Sequence, residues 1–217
     1  APEKYAALYR DQVRDEKLAR YYGAITCMDE AIGEVLALLR EQGEAGNTLV
    51  VFLADNGGNR STGNAPLRGG KGQLFEGGLR VPFIAWWPGR LPAGRVCDDF
   101  LSALEIFPTL AKVAGAKPDR KIPLDGFDMM PVLRGEQPSP RCELFWEWRN
   151  QQAARVDDWK WVASGREGGL FDLRTDQGEQ RDRADEQPDC QQQVQARFAA
   201  WRAAMEASEP RGPFRDY

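Results

Sequence analysis

The chain has 217 residues, 42% of them hydrophobic, and a formal net charge of −4. This length predicts one domain, or one domain with a small appendage, and allows a buried core. The balanced charge argues against nucleic acid or an anionic membrane as the main partner, and no apolar run is long enough for a membrane span. The chain contains no histidine, which excludes Ser-His and Cys-His catalytic pairs and the usual zinc ligand.

The first half of the chain is predicted to form alternating helices and strands. Apolar residues recur at helical spacing over residues 15–42 and predict an amphipathic helix. Residues 49–54 form a short apolar run, typical of a strand buried on both faces, and this order favours an α/β layer with a parallel sheet. Residues 80–87 predict a second buried strand, and residues 105–114 predict a helix that ends before Gly115.

The second half has a different pattern. Residues 117–140 are rich in proline, and we place a domain boundary there, giving residues 1–140 and 141–217. Three strand-like segments follow, and then one amphipathic helix. We therefore expect a small C-terminal α+β subdomain with an antiparallel sheet; its predicted elements are strands 142–149, 153–163 and 169–173 and helix 188–207.

The glycine-rich segment, residues 55–80, contains the side chains that are suited to catalysis or ligand binding. Asp55 and Asn56 offer a charged and a neutral oxygen, which calcium and magnesium accept as ligands. The alternative is a simple turn, because Asp-Asn-Gly-Gly is typical of turns. Lys71 lies among glycines and can contact an oxyanion, or it can be a solvated loop lysine. Arg68 can add a contact to the same anion.

Other charged and aromatic residues in the chain are interpreted as structural. Glu76 is expected to brace the loop by pairing with an arginine. The charged tract 174–186 is expected to be a solvated surface. The tryptophans after residue 145 are expected to lie in the core of the C-terminal subdomain rather than to form a platform for sugars. The four cysteines, with no C-x-x-C pair, predict isolated thiols.

Taken together, two stretches resemble the sulfatase family. Residues 47–58 are similar to the metal-binding strand of that family, and residues 64–82 are similar to its second signature. Further segments match in order: Trp87-Pro88-Gly89, Phe107-Pro108-Thr109-Leu110, Leu124-Asp125-Gly126 and 169–173. The similarity runs from about residue 20 to about residue 205.

The resemblance implies an alkaline-phosphatase-like α/β fold with a small C-terminal sheet domain. It also implies a calcium ion held partly by Asp55 and Asn56, and contact of Lys71 with the sulfate of a sulfate ester. Arg68 is expected to join Lys71 in binding that sulfate. In the family, a formylglycine made from Cys or Ser in C/S-x-P-x-R attacks the sulfur, beside a metal that lowers the cost of the developing charge.

This chain departs from the family pattern in what it lacks. It contains no C/S-x-P-x-R, no counterpart of the upstream Asp pair and no histidine. We therefore interpret it as the C-terminal half of a sulfatase-like protein, inactive alone and completed by upstream residues or a complementary chain. The alternatives are a related phosphoesterase or phosphonate hydrolase, and a non-catalytic remnant that binds an anion or a protein.

The compartment is left open by the sequence. The N-terminus reads Ala-Pro-Glu-Lys-Tyr and has no signal-peptide pattern. Either the protein is not exported or its start lies upstream of Ala1. An upstream signal would place it in the periplasm or outside the cell.

Overall fold

The structure is a computed structural model that describes residues 2–59, 62–116 and 123–208. The chain forms two compact units, one of Ala1–Ala54 with Pro82–Pro138 and one of Asp55–Val81 with Ser139–Tyr217. The glycine-rich segment thus groups with the C-terminal strands. The division into residues 1–140 and 141–217 stays a prediction for the complete protein.

The first unit is mainly helical. Its longest helix begins after Asp15, whose side chain accepts a hydrogen bond from the Lys17 amide at 2.8 Å and so satisfies one free amide of the first turn. Gly23 allows the N-terminal helix to pack closely, because a Cβ there would lie 2.7 Å from the Ala6 nitrogen. The unit contains α1 (Glu3–Ala7), α2 (Glu16–Glu41), β1 (Val50–Leu53), β2 (Phe83–Trp86), α4 (Ile106–Val113) and α5 (Met130–Arg134).

Helices α2 and α4 confirm the helices predicted from the spacing of apolar residues. Helix α4 is preceded by a capping box in which Ser102 and Glu105 bond each other's backbone, and its end is marked by Gly115 at a φ of 69°. Helix α5 lies in the stretch predicted to be loop-rich. Residues 117–122 of that stretch lie outside the described residues.

The expectation of a parallel sheet is wrong for β1 and β2. The two strands pair antiparallel, with Leu53 opposite Phe83 and Val50 opposite Trp86. Phe83, at the start of β2, lies opposite Leu53, at the end of β1, so the chain comes back beside the strand that it has just left and runs in the opposite direction. The expected burial on both faces is also wrong here: β1 is half-buried, and Phe83 and Ile84 are exposed.

Several apolar residues of the two predicted helices are exposed in the first unit. On α2, Val35 is 58% exposed and Leu38 is 55% exposed, and on α4 Phe107 is 59% exposed. Among the described residues, nothing covers these faces of the two helices.

The second unit is built around a four-stranded antiparallel sheet. Its strands are β3 (Glu143–Trp148), β4 (Gln151–Val156), β5 (Trp159–Ala163) and β6 (Gly169–Asp172), in that spatial order. The single strand predicted for residues 153–163 is two strands, because Asp157, at a φ of 51°, forms a tight turn in its middle. The antiparallel sheet and the following helix α6 (Pro188–Ser208) are as predicted.

Each face of this sheet packs on a different segment. One face packs on the glycine-rich segment and its short helix α3 (Glu76–Leu79), in a core made by Leu74, Phe75, Ala153, Val162 and Phe171. The other face packs on α6, in a core made by Ala154, Leu170, Val194 and Phe198. The sheet therefore holds the glycine-rich segment in a fixed position through ordinary apolar burial.

Candidate functional site

The glycine-rich segment is a compact body held by backbone hydrogen bonds. The Gly57 amide donates to the Gly78 carbonyl at 2.9 Å, and the Lys71 amide donates to the Gly58 carbonyl at 3.0 Å. The side-chain amide of Asn64 donates to the Gly58 carbonyl at 3.0 Å. These bonds fix the residues just after Asn56 to the residues around Lys71, which are distant in sequence.

Glycine is required where two parts of the backbone of this segment touch each other. A Cβ on Gly57 would lie 1.8 Å from the Gly77 carbonyl oxygen, and a Cβ on Gly78 would lie 2.0 Å from the Gln73 carbonyl oxygen. Both obstacles are backbone atoms, which cannot move aside as a flexible side chain can. The glycines therefore allow one particular packing of the loop.

The two predicted metal ligands lie on the turn at the start of the body. Asp55 is exposed, and one of its carboxylate oxygens accepts the Asn56 amide at 3.0 Å. The side-chain amide nitrogen of Asn56 donates to the Gly57 carbonyl at 3.0 Å. This bond orients the Asn56 side chain. Its side-chain oxygen makes no hydrogen bond to the described residues and can accept one from another partner.

Lys71 lies with Asn56 along one open cleft of about 600 Å³. Lys71 is exposed, and within the part of the chain that the structure describes its ammonium makes no hydrogen bond or ion pair. The structure therefore brings two of the four predicted site residues together. Asp55 is next to Asn56 in the chain but does not line this cleft.

Arg68 lies elsewhere in the unit. Its guanidinium donates to the Glu179 carbonyl at 3.2 Å and to the Glu167 carbonyl at 3.1 Å. It also lies over the Phe75 ring, 4.1 Å from the ring centroid. This placement favours a role in fixing the loop to the turns of the C-terminal subdomain, whereas contact with the substrate stays a prediction.

A buried ionic cluster joins the glycine-rich segment to the sheet. The ammonium of Lys160 on β5 is fully buried and lies 2.8 Å from a carboxylate oxygen of Glu76 and 2.8 Å from one of Glu179. The other Glu179 oxygen accepts the Glu76 amide at 2.6 Å. Glu76, which begins α3, also lies 3.8 Å from Arg80, as predicted for a bracing residue.

The electrostatics of this cluster are dominated by burial. Burial raises the pKa of the Glu179 carboxyl above its ordinary value, and the nearby Lys160 ammonium offsets part of that effect. Glu179 also has a left-handed backbone, with a φ of 52°. A non-glycine residue in the left-handed region costs about 1–3 kcal/mol of conformational free energy. The turn therefore keeps Glu179 buried although its backbone conformation is locally unfavourable.

Sequence reasoning missed Lys160 and Glu179. The tract 174–186 was expected to be solvated, but Glu179 within it is fully buried. The available signal was the alternation of β5, in which Lys160 and Val162 are two residues apart and so point to the same, buried face. No sequence signal marks Glu179, because its burial depends on the turn that carries it.

The described residues do not contain a complete metal site. No three Cys, Asp or Glu side chains come together there to hold a metal ion. Within the same ranges, no helix is both long enough and apolar enough to cross a membrane.

Comparison with known proteins identifies the family of the chain. The Sulfatase family model matches residues 1–116. N-acetylgalactosamine-6-sulfatase of Canis lupus familiaris is 35% identical over 159 residues, which are 68% of this chain and 30% of that protein. Arylsulfatase A of Homo sapiens is 42% identical over 123 residues, which are 54% of this chain and 24% of that protein.

A solved structure extends the likeness to most of the chain. Ps i-CgsB, in complex with k-i-k-neocarrahexaose, superposes with a TM-score of 0.85 at 28% identity, over 93% of this chain and 46% of that chain. The chain belongs to the sulfatase family, a family of sulfuric ester hydrolases. The expected alkaline-phosphatase-like α/β fold is confirmed. The chain spans 30% and 24% of the length of these two curated relatives and 46% of that of the solved structure.

Proposed function

We propose that this chain supplies one side of the sulfate and calcium site of a sulfuric ester hydrolase. One observation carries the proposal: in a chain of the sulfatase family, Asn56 and Lys71 line the same cleft on a loop whose backbone is clamped by hydrogen bonds. The ligand is a sulfate ester. The exposed Lys71 ammonium would bind the sulfate group of that ester.

The role of Lys71 follows from its charge and its support. As an ester S–O bond breaks, negative charge grows on the oxygens of the transferring group, and a fixed cation lowers the barrier most at that stage. Lys71 is fixed at its backbone by the bond of its amide to Gly58. Arg68 stands as a second, weaker candidate for the same anion, because its guanidinium already donates to two carbonyls.

Asp55 and Asn56 fit a calcium site in the chemistry of their donors. Asp55 is an exposed carboxylate, and Asn56 has its amide nitrogen bonded to Gly57 so that its oxygen can turn to a cation. Calcium takes about six to eight oxygen ligands, so these two residues supply only part of the set. When bound, the ion would neutralise charge on the reacting oxygens.

The remaining parts of the site are proposed to lie outside the printed sequence. These are the formylglycine segment and the other calcium ligands, in an upstream portion or a complementary chain. The 217-residue chain contains no C/S-x-P-x-R, and we propose that it does not hydrolyse sulfate esters alone.

Turnover of 4-nitrophenyl sulfate and galactose 6-sulfate by the complete protein tests the proposal. Lys71→Ala should lower kcat/KM by about 100-fold or more with an unchanged melting temperature, because Lys71 is exposed. Lys112→Ala, an exposed lysine of the other compact unit, is the control. Wild-type turnover in Lys71→Ala would refute the role of Lys71. A complete protein that binds sulfate but hydrolyses neither ester would favour the non-catalytic alternative.

A further inference from the structure

The cleft that holds Asn56 and Lys71 continues along the edge of the C-terminal sheet. Its other wall consists of edge strand β3 and one residue of α6, and the wall is aromatic. The aromatic side chains that line it are Phe145, Trp146, Trp148 and Trp201. At about 600 Å³ the cleft has the size of a small-molecule site, about 300–1,000 Å³, and is much larger than a sulfate ion.

The hairpin of β3 and β4 is anchored beside Lys71. The side-chain amide of Gln151, the first residue of β4, donates to the Gly72 carbonyl at 2.9 Å. The two strands are joined by a tight turn in which Arg149 has a φ of 56° and lies over the Trp148 ring, 5.3 Å from its centroid. The hairpin tip is therefore tied to the residue that follows Lys71.

Trp148 differs from the other exposed apolar residues in that it lines the cleft that holds Lys71. Phe145 and Trp146 pack against the two cores of the unit, but Trp148, at the end of the same strand, is 49% exposed. A large exposed aromatic beside polar groups is typical of a ligand site. Glu147 and Gln73 line the same cleft and add polar groups to it, although one Glu147 oxygen already pairs with Arg202 at 3.4 Å and accepts from Gln152 at 3.3 Å.

We propose that this aromatic edge is a subsite for the ring of a sulfated sugar, with Trp148 as its main stacking surface. The inference rests on the proposed function and names the substrate class of the same site. A sugar ring has an apolar face that stacks on an indole and equatorial hydroxyls that suit Glu147 and Gln73. The sulfate points to Lys71, and the ring lies along β3.

Binding by the complete protein tests the subsite. The probes are inorganic sulfate and the 6-sulfates of galactose, N-acetylgalactosamine and glucosamine, and the readout is the dissociation constant from calorimetry, or KM for any probe that is hydrolysed. At least one sugar sulfate should bind about tenfold or more tightly than inorganic sulfate. Trp148→Ala should remove about tenfold of that preference, in line with the strength of a ring stack, and Trp148→Phe should retain most of it.

The controls separate this inference from the proposed function. Lys71→Ala should weaken inorganic sulfate and sugar sulfates alike, whereas Trp148→Ala should spare inorganic sulfate. Phe107→Ala, an exposed ring in the other compact unit, should change neither. The subsite is refuted if no sugar sulfate binds more tightly than inorganic sulfate, or if Trp148→Ala leaves the preference intact or weakens both classes equally. If Lys71→Ala has no effect while Trp148→Ala does, the sulfate site fails and the ring subsite stands.

Discussion

Lys160 shows how one residue can hold two segments together. It reaches from the sheet to two carboxylates, one on the glycine-rich segment and one on the turn after β6, and none of the three side chains is open to solvent. A buried pair of this kind contributes little net stability compared with apolar packing, but removing one partner leaves a buried charge uncompensated. The cluster therefore makes the position of α3 depend on Lys160.

Lys160→Met should lower the free energy of unfolding by about 3–5 kcal/mol, because Glu76 and Glu179 would face each other without a buried cation. Urea denaturation of the complete protein at pH 7 measures the change. The double variant Lys160→Met/Glu179→Gln should recover part of the loss, since it removes one of the two uncompensated charges. Lys112→Met removes an ion pair between an exposed lysine and Asp128 and should cost no more than about 1 kcal/mol. A loss no larger than that of Lys112→Met would contradict the role of the cluster.

The raised pKa of Glu179 predicts the sign of a pH effect. A carboxyl whose pKa is higher in the folded than in the unfolded state binds more protons when folded, so its contribution to stability is present below its ordinary value of 4.5 and is lost as pH rises through the raised pKa. The stability of the wild type relative to Glu179→Gln should therefore fall as pH rises above the ordinary carboxyl pKa of 4.5. Urea midpoints of both proteins across that range test this, and a relative stability that rises with pH would show that the pKa is not raised.

At the scale of elements, the described parts of the glycine-rich segment are tied to each other by backbone hydrogen bonds. Its bonds from Gly57 to Gly78 and from Lys71 to Gly58 join its two ends, and Phe75 inserts into the core beneath the sheet. A loop built this way holds the Lys71 backbone in place, whereas the exposed Lys71 side chain has no hydrogen bond or ion pair among the described residues. The loop therefore limits where the Lys71 ammonium can reach, and an anion bound there would order the side chain itself.

Gly78→Ala should disrupt this unit, because the new Cβ would lie 2.0 Å from the Gln73 carbonyl oxygen and 2.6 Å from that of Gly70. We expect a loss of stability of about 2 kcal/mol or more, of the order seen for overpacking, together with loss of sulfate binding. Gly33→Ala is the matched control: Gly33 lies within α2 with open space around it, and this change should stabilise by about 0.5–1 kcal/mol. Equal effects of the two substitutions, in thermal melts of the complete protein, would argue against the close packing.

The elements of this fold differ in how far the sequence predicts them. Helices α2, α4 and α6 have apolar residues at helical spacing and end near the predicted residues, since periodicity and capping are local. The turn at Asp157 was missed because it lacks the glycine that marks most tight hairpins. The pairing of β1 with β2 was missed because strand direction depends on the path of the segment between them, which no local pattern records.

The candidate site shows the same division. The placing of Asn56 and Lys71 along one cleft agrees with their grouping in the sequence, whereas the roles of Asp55, Asn56 and Lys71 toward metal and sulfate stay predictions. The cluster of Lys160 with Glu76 and Glu179 could not be predicted, since its members come together only through the sheet and a turn. Trp148 was predicted to lie in the core with the other tryptophans, and only its place at the end of an edge strand leaves it exposed.

At the scale of the whole molecule, calcium should report whether the site is completed by residues beyond this chain. A ligand that binds only the folded protein stabilises it by about 2.7 kcal/mol at 100 times its dissociation constant. The complete protein should therefore melt at a higher temperature with calcium than with a chelator. The 217-residue chain alone should show a much smaller shift, because Asp55 and Asn56 supply too few oxygen ligands.

Asp55→Ala should abolish the calcium-dependent melting shift of the complete protein, because it removes the charged ligand on the turn after β1. Thermal melts in calcium, in magnesium and in chelator measure the shift. Asp185→Ala, which removes an exposed carboxylate far along the chain, should leave it unchanged and so controls for net charge. If Asp55→Ala keeps the full calcium shift, Asp55 is not a ligand, and Asp-Asn-Gly-Gly is then a turn that shapes the loop without binding the ion.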